Sequence, residues 1–373
     1  MSTNKKMKIS IYIRSLVLSP SGYYRVIQYI NAIECKQRTC ELLPYLFYKK
    51  YLRNKHNKLS IIWNLLAFVL AYFRGLYYLL KDILDPPAVI IVSREIGPRF
   101  LLFPLGIILR RISKMSRLIW DFDDQILCSN EISQAEFNLL SACSYRIIVT
   151  SEYLQQMVDA QFWSKIILLP TTDGDMDKCD LDVAMEYRLS IFDSLIRLVW
   201  VGTAANINNI IALLPQLDTI AYKLKQNTGK KLTLSVVSNF KVDNICENLI
   251  VNNIEWSAQG AIEEMCKSHI GIMPLVDSLY SQGKGGFKLI QYLSLSLPVI
   301  ASDVGFNKNV VSSECGFLVD SNSYLTSWED ALLAITFDIE TYLSYSRGAR
   351  KTWEEKFPFD RNLRIWKDLL TFN

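Results

Sequence analysis

Short runs of β-branched and aliphatic residues alternate with longer helical stretches along most of the chain, and this alternation limits the fold more than any other feature. In the first half the runs are KISIYI, AVIIVS, RLIWDF, YRIIVT and KIILLP, and stretches such as YYRVIQYINAI and EFNLLSACS separate them. Strands that are apolar on both faces, with helices between them, are typical of a parallel sheet covered by helices on both sides. We therefore predict an α/β fold with doubly wound parallel sheets.

The alternation stops once and then restarts, which indicates two domains. The segment TTDGDMDKCDLD is polar and acidic and has no periodicity, and LIRLVWVG, KLTLSVVS, LIVNNIEW, HIGIMPL and LPVIAS follow it. A length of 373 residues suits two cores better than one. We predict two tandem Rossmann-like domains with an interdomain cleft, at residues 1–172 and 191–350, with a linker at 173–190. A helical tail at 351–373 can cross back to the first domain.

The stretch GKGGFKLIQYLSLSLPVIASDVG, residues 283–305, combines features that suit a bound anion. Its glycines allow the backbone to approach a ligand closely, and Lys284 and Lys288 supply positive charge. The run FKLIQYLSL predicts a helix whose N-terminus favours negative charge. A flexible surface loop with solvated lysines is the alternative interpretation.

This stretch resembles the donor-binding half of the GT-B glycosyltransferases, in particular the large retaining group called glycosyl transferases group 1 (GT4-like). Many of those enzymes show a K-x-x-x-K-x-x-E/Q-Y-x-A-x-G-x-P-V-I-A pattern, and the resemblance extends upstream through WVGTAANINNI and IEWSAQGAIEEM. It implies a UDP- or GDP-linked sugar donor and retention of anomeric configuration. The chain departs from the pattern at Gly283 and Gln291, where many relatives have glutamates, and no histidine of the kind many relatives carry near the sugar is evident in the first domain.

By position, the resemblance assigns Lys284 and Lys288 to the donor diphosphate, and we count both as catalytic residues. The remaining donor-binding residues that we predict are Gly202, Thr203, Ser238, Asn239, Trp256, Gly285, Gly286, Phe287 and Gln291.

Loops after three predicted strands of the first domain present candidate residues for the acceptor. We predict acceptor-side roles for Gly22, Arg25, Arg94 and Glu95, and catalytic roles for Asp123 and Asp124. These acids can orient an acceptor hydroxyl, or they can simply cap the next helix. Such a pair can also bind Mg²⁺ or Mn²⁺. The GT-B resemblance instead implies no metal and no cofactor, since lysines and helix dipoles neutralise the diphosphate in that architecture.

Positive charge is concentrated in the first part of the chain. Residues 1–150 carry 21 Lys and Arg against 10 Asp and Glu, whereas residues 151–373 carry 20 against 27. This asymmetry indicates an anionic partner for the first domain, or only an ordinary solvated surface. The apolar, aromatic segment 61–80 has basic flanks and is typical of a helix that lies on an anionic membrane. A core helix is the open alternative, and Arg74 argues against a transmembrane span. Nucleic acid is disfavoured because no recognised binding motif accompanies the charge.

Our leading hypothesis is a retaining glycosyltransferase of the hexosyltransferase type. It would use a nucleotide sugar and a lipid-diphosphate-linked saccharide acceptor in bacterial capsule, O-antigen (lipopolysaccharide) or similar polysaccharide synthesis, at the cytoplasmic face of the membrane. A sugar-nucleotide epimerase of the same fold and a noncatalytic scaffold are the alternatives. The eight cysteines form no CxxC pair, which predicts free thiols in a reducing compartment and no zinc site. The start MSTNKKMKISIYIRS predicts a strand and not a signal peptide.

Overall fold

The chain divides into two compact units. The computed structural model describes residues 6–54, 60–100, 103–176, 179–243, 245–320 and 327–371. The first unit comprises Met1–Thr171, Gly283–Gly285 and Asp360–Asn373, and the second comprises Thr172–Gln282 and Gly286–Phe359. The glycine and lysine residues 283–285 therefore group with the first unit, although the sequence on both sides of them belongs to the second.

The first unit is built on a parallel six-stranded sheet in the order β2-β1-β3-β4-β5-β6. Its strands are β1 (Lys8–Ile13), β2 (Lys36–Glu41), β3 (Val89–Ser93), β4 (Arg117–Phe122), β5 (Arg146–Val149) and β6 (Ile166–Leu168). Five of the six coincide with predicted apolar runs. The strand β2 was not predicted, because it pairs only with β1 and its edge position leaves polar residues partly in water.

The second unit contains another parallel six-stranded sheet, in the order β12-β11-β10-β7-β8-β9. Its strands are β7 (Leu195–Val201), β8 (Lys231–Ser238), β9 (Ile250–Glu255), β10 (Ile270–Met273), β11 (Val299–Ser302) and β12 (Gly316–Val319). The direction of strand order reverses between β7 and β10 here, and between β1 and β3 in the first sheet. Ligands of open α/β sheets collect at the carboxyl ends of the strands beside such reversals.

Helices cover both sheets. In chain order they are α1 (Pro20–Gly22), α2 (Gln28–Asn31) after a π-helical turn at Tyr23–Ile27, α3 (Tyr45–Asn54), α4 (Ser60–Leu84), α5 (Leu105–Ile112), α6 (Gln134–Cys143), α7 (Glu152–Met157), α8 (Leu181–Ile191), α9 (Ile207–Thr228), α10 (Ala258–Cys266), α11 (Leu279–Gln282), α12 (Phe287–Ser294), α13 (Asn307–Val310), α14 (Trp328–Ile335), α15 (Ile339–Lys356) and α16 (Phe359–Leu370). Short 3₁₀ turns lie at Ala160–Lys165 and Ala204–Asn206.

Each unit has its own core, and the last helix joins the core of the first unit. Trp120 on β4 is fully buried, with its ring 4.9 Å from the ring of Phe137 on α6. Trp366 on α16 stacks on Tyr29 with ring centroids 6.3 Å apart, and Asn362 donates to the carbonyl of Pro170 at 2.7 Å. The α16 end of the tail predicted at 351–373 thus packs on the first unit, while α15 groups with the second.

The linker predicted at 173–190 needs correction, because α8 occupies its second half. Arg188 on α8 is buried, and its guanidinium donates to the carbonyls of Cys266 at 2.9 Å and Leu295 at 3.1 Å. These bonds attach α8 to the second unit, so the irregular part ends before Leu181. The prediction of free thiols throughout is also wrong, since Cys179 and Cys266 form a disulfide where the segment before α8 meets the end of α10.

Candidate functional site

In the second unit, the predicted donor-binding residues lie where parallel strands end. Gly202 and Thr203 follow β7, Ser238 ends β8 and precedes Asn239, and Trp256 follows β9. Because the strands are parallel, these residues share the carboxyl edge of the sheet. A Cβ on Gly202 would lie 2.3 Å from the indole ring of Trp200, so no larger residue fits without displacing that ring.

The loop before α12 needs glycine at its last position. Gly286 has a φ of 64°, in the left-handed region that other residues rarely adopt, and an added Cβ would lie 3.1 Å from Val310. Gly286 caps the helix without any side chain, and Phe287 begins it. The first N–H groups of a helix lack intrahelical acceptors, so this N-terminus suits an anionic group.

Lys288, in the first turn of α12, is joined through an amide to a carboxylate. Its ammonium donates to Gln291 Oε1 at 2.8 Å, and Gln291 Nε2 donates to Asp173 Oδ2 at 2.5 Å. Burial lowers the pKa of Lys288 to about 8, and the charge of Asp173 opposes that shift. Burial likewise raises the pKa of Asp173, against its hydrogen bonds from Asp175 and Gln291. The site therefore holds a partly buried ammonium, with no carboxylate in direct contact in the described part of the unit.

Lys284 occupies a different environment in the first unit. Its ammonium lies 3.2 Å from Asp124 Oδ1, and the glycines on either side pack against Gln125 and Thr150. Burial opposes ionisation of Asp124, but Lys284 and Arg94 outweigh it and lower the pKa of that carboxyl to about 2. Lys284 and Asp124, both predicted from the sequence, are therefore brought together as an ion pair.

Arg94 links the predicted acids at the carboxyl edge of the first sheet. Its Nη2 lies 2.7 Å from Asp123 Oδ1 and 2.6 Å from Asp124 Oδ2, and its Nη1 lies 2.9 Å from Glu131 Oε1. Arg94 has a φ of 69°, an uncommon conformation that aims the side chain into this cluster. The sequence analysis predicted Arg94, Asp123 and Asp124 separately, and the structure places them in contact.

Arg14 extends the cluster to the strand-order reversal between β1 and β3. It contacts Glu95 Oε1 at 2.5 Å and Glu131 Oε2 at 2.8 Å. Burial raises the pKa of Glu95 against the effect of Arg14. Together the cluster holds three cations and four carboxyl groups, namely Arg14, Arg94, Lys284, Glu95, Asp123, Asp124 and Glu131. Such a near-balanced cluster is suited to accept hydrogen bonds from hydroxyls rather than to bind a phosphate.

Arg25, predicted on the acceptor side, lies in the interior. Its side chain is 1% exposed, and its Nη2 contacts Asp121 Oδ1 at 2.6 Å. Nη1 donates to Leu169 O and Thr171 Oγ1, each at 3.0 Å. Gly22 is also buried, and an added Cβ there would lie 3.0 Å from Ile13. This geometry favours structural roles for both residues over contact with an acceptor.

Sequence reasoning missed three residues of these two sites: Asp173, Arg14 and Glu131. Asp173 lies in the acidic segment interpreted as a linker, and no sequence pattern indicates that it contacts α12. Arg14 directly follows β1 and could have been found by the strand-end rule used for Arg94. Within the described residues, no group of three or more His, Cys, Asp or Glu is arranged to hold a metal ion.

Comparison with known proteins agrees with this architecture. Residues 196–338, which except for 283–285 belong to the second unit, match the family described as "Glycosyl transferases group 1". No curated protein matches the chain in sequence. Among solved structures, a glycosyltransferase from Rickettsia africae has a TM-score of 0.60 at 13% identity, with 99% of this chain and 100% of that one covered.

Two further structures show the same fold. Anabaena HepE in complex with UDP has a TM-score of 0.63 at 11% identity, with 98% of this chain and 99% of that one covered. Sucrose-phosphate synthase from Thermosynechococcus elongatus has a TM-score of 0.61 at 12% identity, and 98% of each chain is covered. The predicted resemblance is confirmed for the fold and for the family match: the chain has the GT-B fold, and its residues 196–338 match the glycosyl transferases group 1.

Proposed function

We propose that this protein is a glycosyltransferase that moves a sugar from a nucleotide-diphosphate donor to a saccharide or lipid-linked acceptor. The observation that carries the proposal is the environment of Lys288 in the second unit. This lysine lies in the first turn of α12, which a left-handed glycine precedes, within the residues that match the family. A partly buried ammonium beside a helix N-terminus is suited to a diphosphate.

These residues act at the step in which the nucleotide diphosphate leaves the sugar. As the bond between the anomeric carbon and the phosphate oxygen breaks, negative charge grows on the diphosphate, and Lys288 with the N–H groups of α12 stabilises it. The acceptor oxygen then forms the new bond to the anomeric carbon. In the retaining route that the resemblance implies, the acceptor proton passes to the departing phosphate, so no histidine base is needed.

UDP is the nucleotide to test first. HepE, which shares the fold, has been crystallised with UDP and with UDP-glucose. For this chain, a UDP-sugar donor is our proposal, with a GDP-sugar as the second choice. The role of Lys284 at the diphosphate, which the resemblance implies, stays a prediction, because the structure pairs its ammonium with Asp124 in the first unit.

The acceptor side of the proposal rests on the cluster around Arg94. Asp123, Asp124 and Glu95 offer carboxylate oxygens that can accept hydrogen bonds from saccharide hydroxyls. We propose a lipid-diphosphate-linked acceptor at the cytoplasmic face of a bacterial membrane, in capsule, O-antigen or related polysaccharide synthesis. The charge asymmetry of the chain, basic in residues 1–150, supports an anionic partner for this part.

Calorimetric titration with UDP, GDP and UDP-glucose tests the donor proposal. We expect Lys288→Ala to weaken UDP binding by roughly 10- to 100-fold, the effect of one charged hydrogen bond. The matched control is Lys308→Ala, since Lys308 is an exposed lysine of the same unit, 3.5 Å from Asp303. Equal UDP affinities for the two variants would show that Lys288 does not contact the diphosphate.

Turnover separates the enzyme classes. Release of UDP from a sugar nucleotide only when a lipid-linked saccharide is present indicates transfer. Conversion of the donor sugar without an acceptor indicates an epimerase. A protein that binds neither UDP nor GDP is the noncatalytic scaffold, and the proposal is then wrong.

A further inference from the structure

The helix α4 turns an apolar face outward, the reverse of what a surface helix of a water-soluble unit normally does. The residues of its buried face are mostly small and recur every four positions: Ala67, Ala71, Gly75 and Leu79. Its exposed large apolar residues are Ile61, Ile62, Leu65, Leu66, Val69, Phe73, Tyr77, Leu80 and Leu84. Phe73 and Tyr77, in the middle of the face, are 61% and 57% exposed.

Contacts with the rest of the first unit tie the other face of α4 down. A Cβ on Gly75 would lie 2.8 Å from the carbonyl oxygen of Ile96, so the helix backbone lies directly on the loop after β3. Asp82 is buried and accepts hydrogen bonds from Ser10 at 2.9 Å and Tyr12 at 2.6 Å. By length and composition alone α4 could cross a membrane. Its attachment to the sheet along one side argues instead for a helix that lies flat.

Neighbouring elements enlarge the apolar face. The ring of Phe68 on α4 lies 6.3 Å from that of Phe100, and the hydroxyl of Tyr72 donates to the carbonyl of Phe103 at 2.8 Å. Phe103 is 80% exposed, and Ile107 on α5 is exposed as well. The outward face of α4, together with Phe100, Phe103 and Ile107, is called the α4 face below. Contiguous exposed apolar areas of this kind mark interaction surfaces.

Along residues 42–120, the stretch of chain that carries α4 and α5, the exposed charges of the described residues are mostly positive. Between Leu42 and Trp120 the sequence contains only three acidic residues. Asp82 and Glu95 are buried, and Asp85 is paired with Lys8. The exposed cations of the same stretch are Lys49, Lys50, Arg53, Lys81, Arg99, Arg110, Arg111 and Lys114.

Several of these cations stand beside aromatic rings. The ammonium of Lys81 lies 5.9 Å from the ring centre of Tyr77, and the guanidinium of Arg99 lies 5.4 Å from that of Phe100. Aromatic residues with basic neighbours are typical of the boundary between lipid headgroups and acyl chains.

We propose that the α4 face docks on an anionic lipid bilayer, with α4 parallel to the membrane plane. Its 25 residues extend about 37 Å at the usual helical rise. The apolar side chains would enter the acyl boundary while the surrounding lysines and arginines meet anionic headgroups. A second copy is disfavoured, because a two-fold interface places the same cationic rim against itself.

Flotation with lipid vesicles tests this docking on the full chain. We expect binding to vesicles of phosphatidylcholine with about one quarter phosphatidylglycerol, and weaker binding to phosphatidylcholine alone or at high salt. Phe73→Glu should abolish binding, whereas Phe337→Glu, at a 79% exposed aromatic residue of the second unit, should not. Removing two rim charges with Arg110→Ala and Arg111→Ala should weaken binding on the order of thirtyfold. The control pair Lys225→Ala and Lys241→Ala should leave it unchanged.

Fluorescence gives a second readout that does not depend on a disruptive substitution. Trp63 lies on α4 and Trp163 lies outside it. Brominated lipids should quench the wild-type protein, and Trp63→Phe should lose more of this quenching than Trp163→Phe.

The inference is independent of the proposed function, because docking is measured without nucleotide. Vesicle binding without UDP affinity would overturn only the proposed function. Failure of the wild-type protein to float, equal behaviour of Phe73→Glu and Phe337→Glu, or a dimer that forms through the α4 face in place of vesicle binding would each overturn the docking.

Discussion

Raising the pH should weaken nucleotide binding, because it removes the proton from Lys288. The pKa of this lysine in the free protein is about 8, lowered by burial against the charge of Asp173. A bound diphosphate favours the ammonium and moves that pKa back toward the ordinary lysine value of about 10.4. The affinity for UDP is therefore highest below about pH 8 and falls as the pH rises above that value. It levels off once the pH passes the pKa of Lys288 in the complex.

The magnitude follows from the same two pKa values. Each pH unit between them weakens binding by about tenfold, so a change from about pH 7 to about pH 10 should cost 10- to 100-fold in UDP affinity. The phosphate of UDP stays ionised over this range, since its second pKa is about 6. Titration in two buffers of different ionisation enthalpy should also show uptake of about half a proton at pH 8 and nearly one at pH 9.

Lys288→Arg is the control, because a guanidinium stays charged at every pH used. Its UDP affinity should vary little with pH, even if it is lower than that of the wild type. A wild-type profile that matches that of Lys288→Arg, or binding at pH 9 without proton uptake, would show that Lys288 does not meet the diphosphate.

Three further predictions concern the charged groups around the two sites. Arg94→Met should destabilise the first unit by about 3–5 kcal/mol in urea unfolding, because Asp123 and neighbouring acids lose their partner, and Arg94→Lys should recover part of the loss. Burial raises the pKa of Glu136 to about 8. Protonated Glu136 therefore contributes fully to the free energy of unfolding below its unfolded-state pKa near 4.5, and this contribution is lost as the pH rises through 8. Glu136→Gln should accordingly be more stable than the wild type by at most about 4 kcal/mol at pH 8 and no more stable at pH 4, and equal unfolding curves at pH 8 would contradict the shift. Gln291→Glu should weaken UDP binding about tenfold, because the new carboxylate pairs directly with Lys288 and a diphosphate must break that pair; an affinity equal to that of the wild type would argue against the role of the amide bridge.

The strands could be predicted because burial on both faces leaves a clear sequence pattern. KISIYI and RLIWDF became β1 and β4 with the predicted bounds. The edge strand β2 had no such pattern, since KQRTCE faces solvent on one side and needs no apolar run. The helical nature of residues 61–80 was equally readable. Whether that helix was core or surface was not, because both cases produce an apolar sequence.

The sequence predicted which residues lie at the candidate site, but not which of their side chains contact each other. The strand-end rule found Arg94 and Asp124, yet nothing local indicates that one guanidinium joins acids that lie about thirty residues further on. The same rule placed Arg25 at the carboxyl edge, whereas its partner Asp121, 96 residues away, draws it into the interior. Side-chain pairing depends on tertiary contacts, which periodicity does not encode.

The glutamine at position 291 has a physical explanation that the sequence pattern alone conceals. A glutamate there would pair directly with Lys288, and a diphosphate would have to break that ion pair in order to bind. In this chain the carboxylate belongs to Asp173 and acts through the Gln291 amide, at 2.5 Å and 2.8 Å. Lys288 thus keeps a hydrogen bond that orients it, while its pKa stays at about 8 instead of rising toward that of a paired lysine. An anion that enters this site exchanges an amide contact for a charged one, so the substitution of glutamine for glutamate is compatible with diphosphate binding.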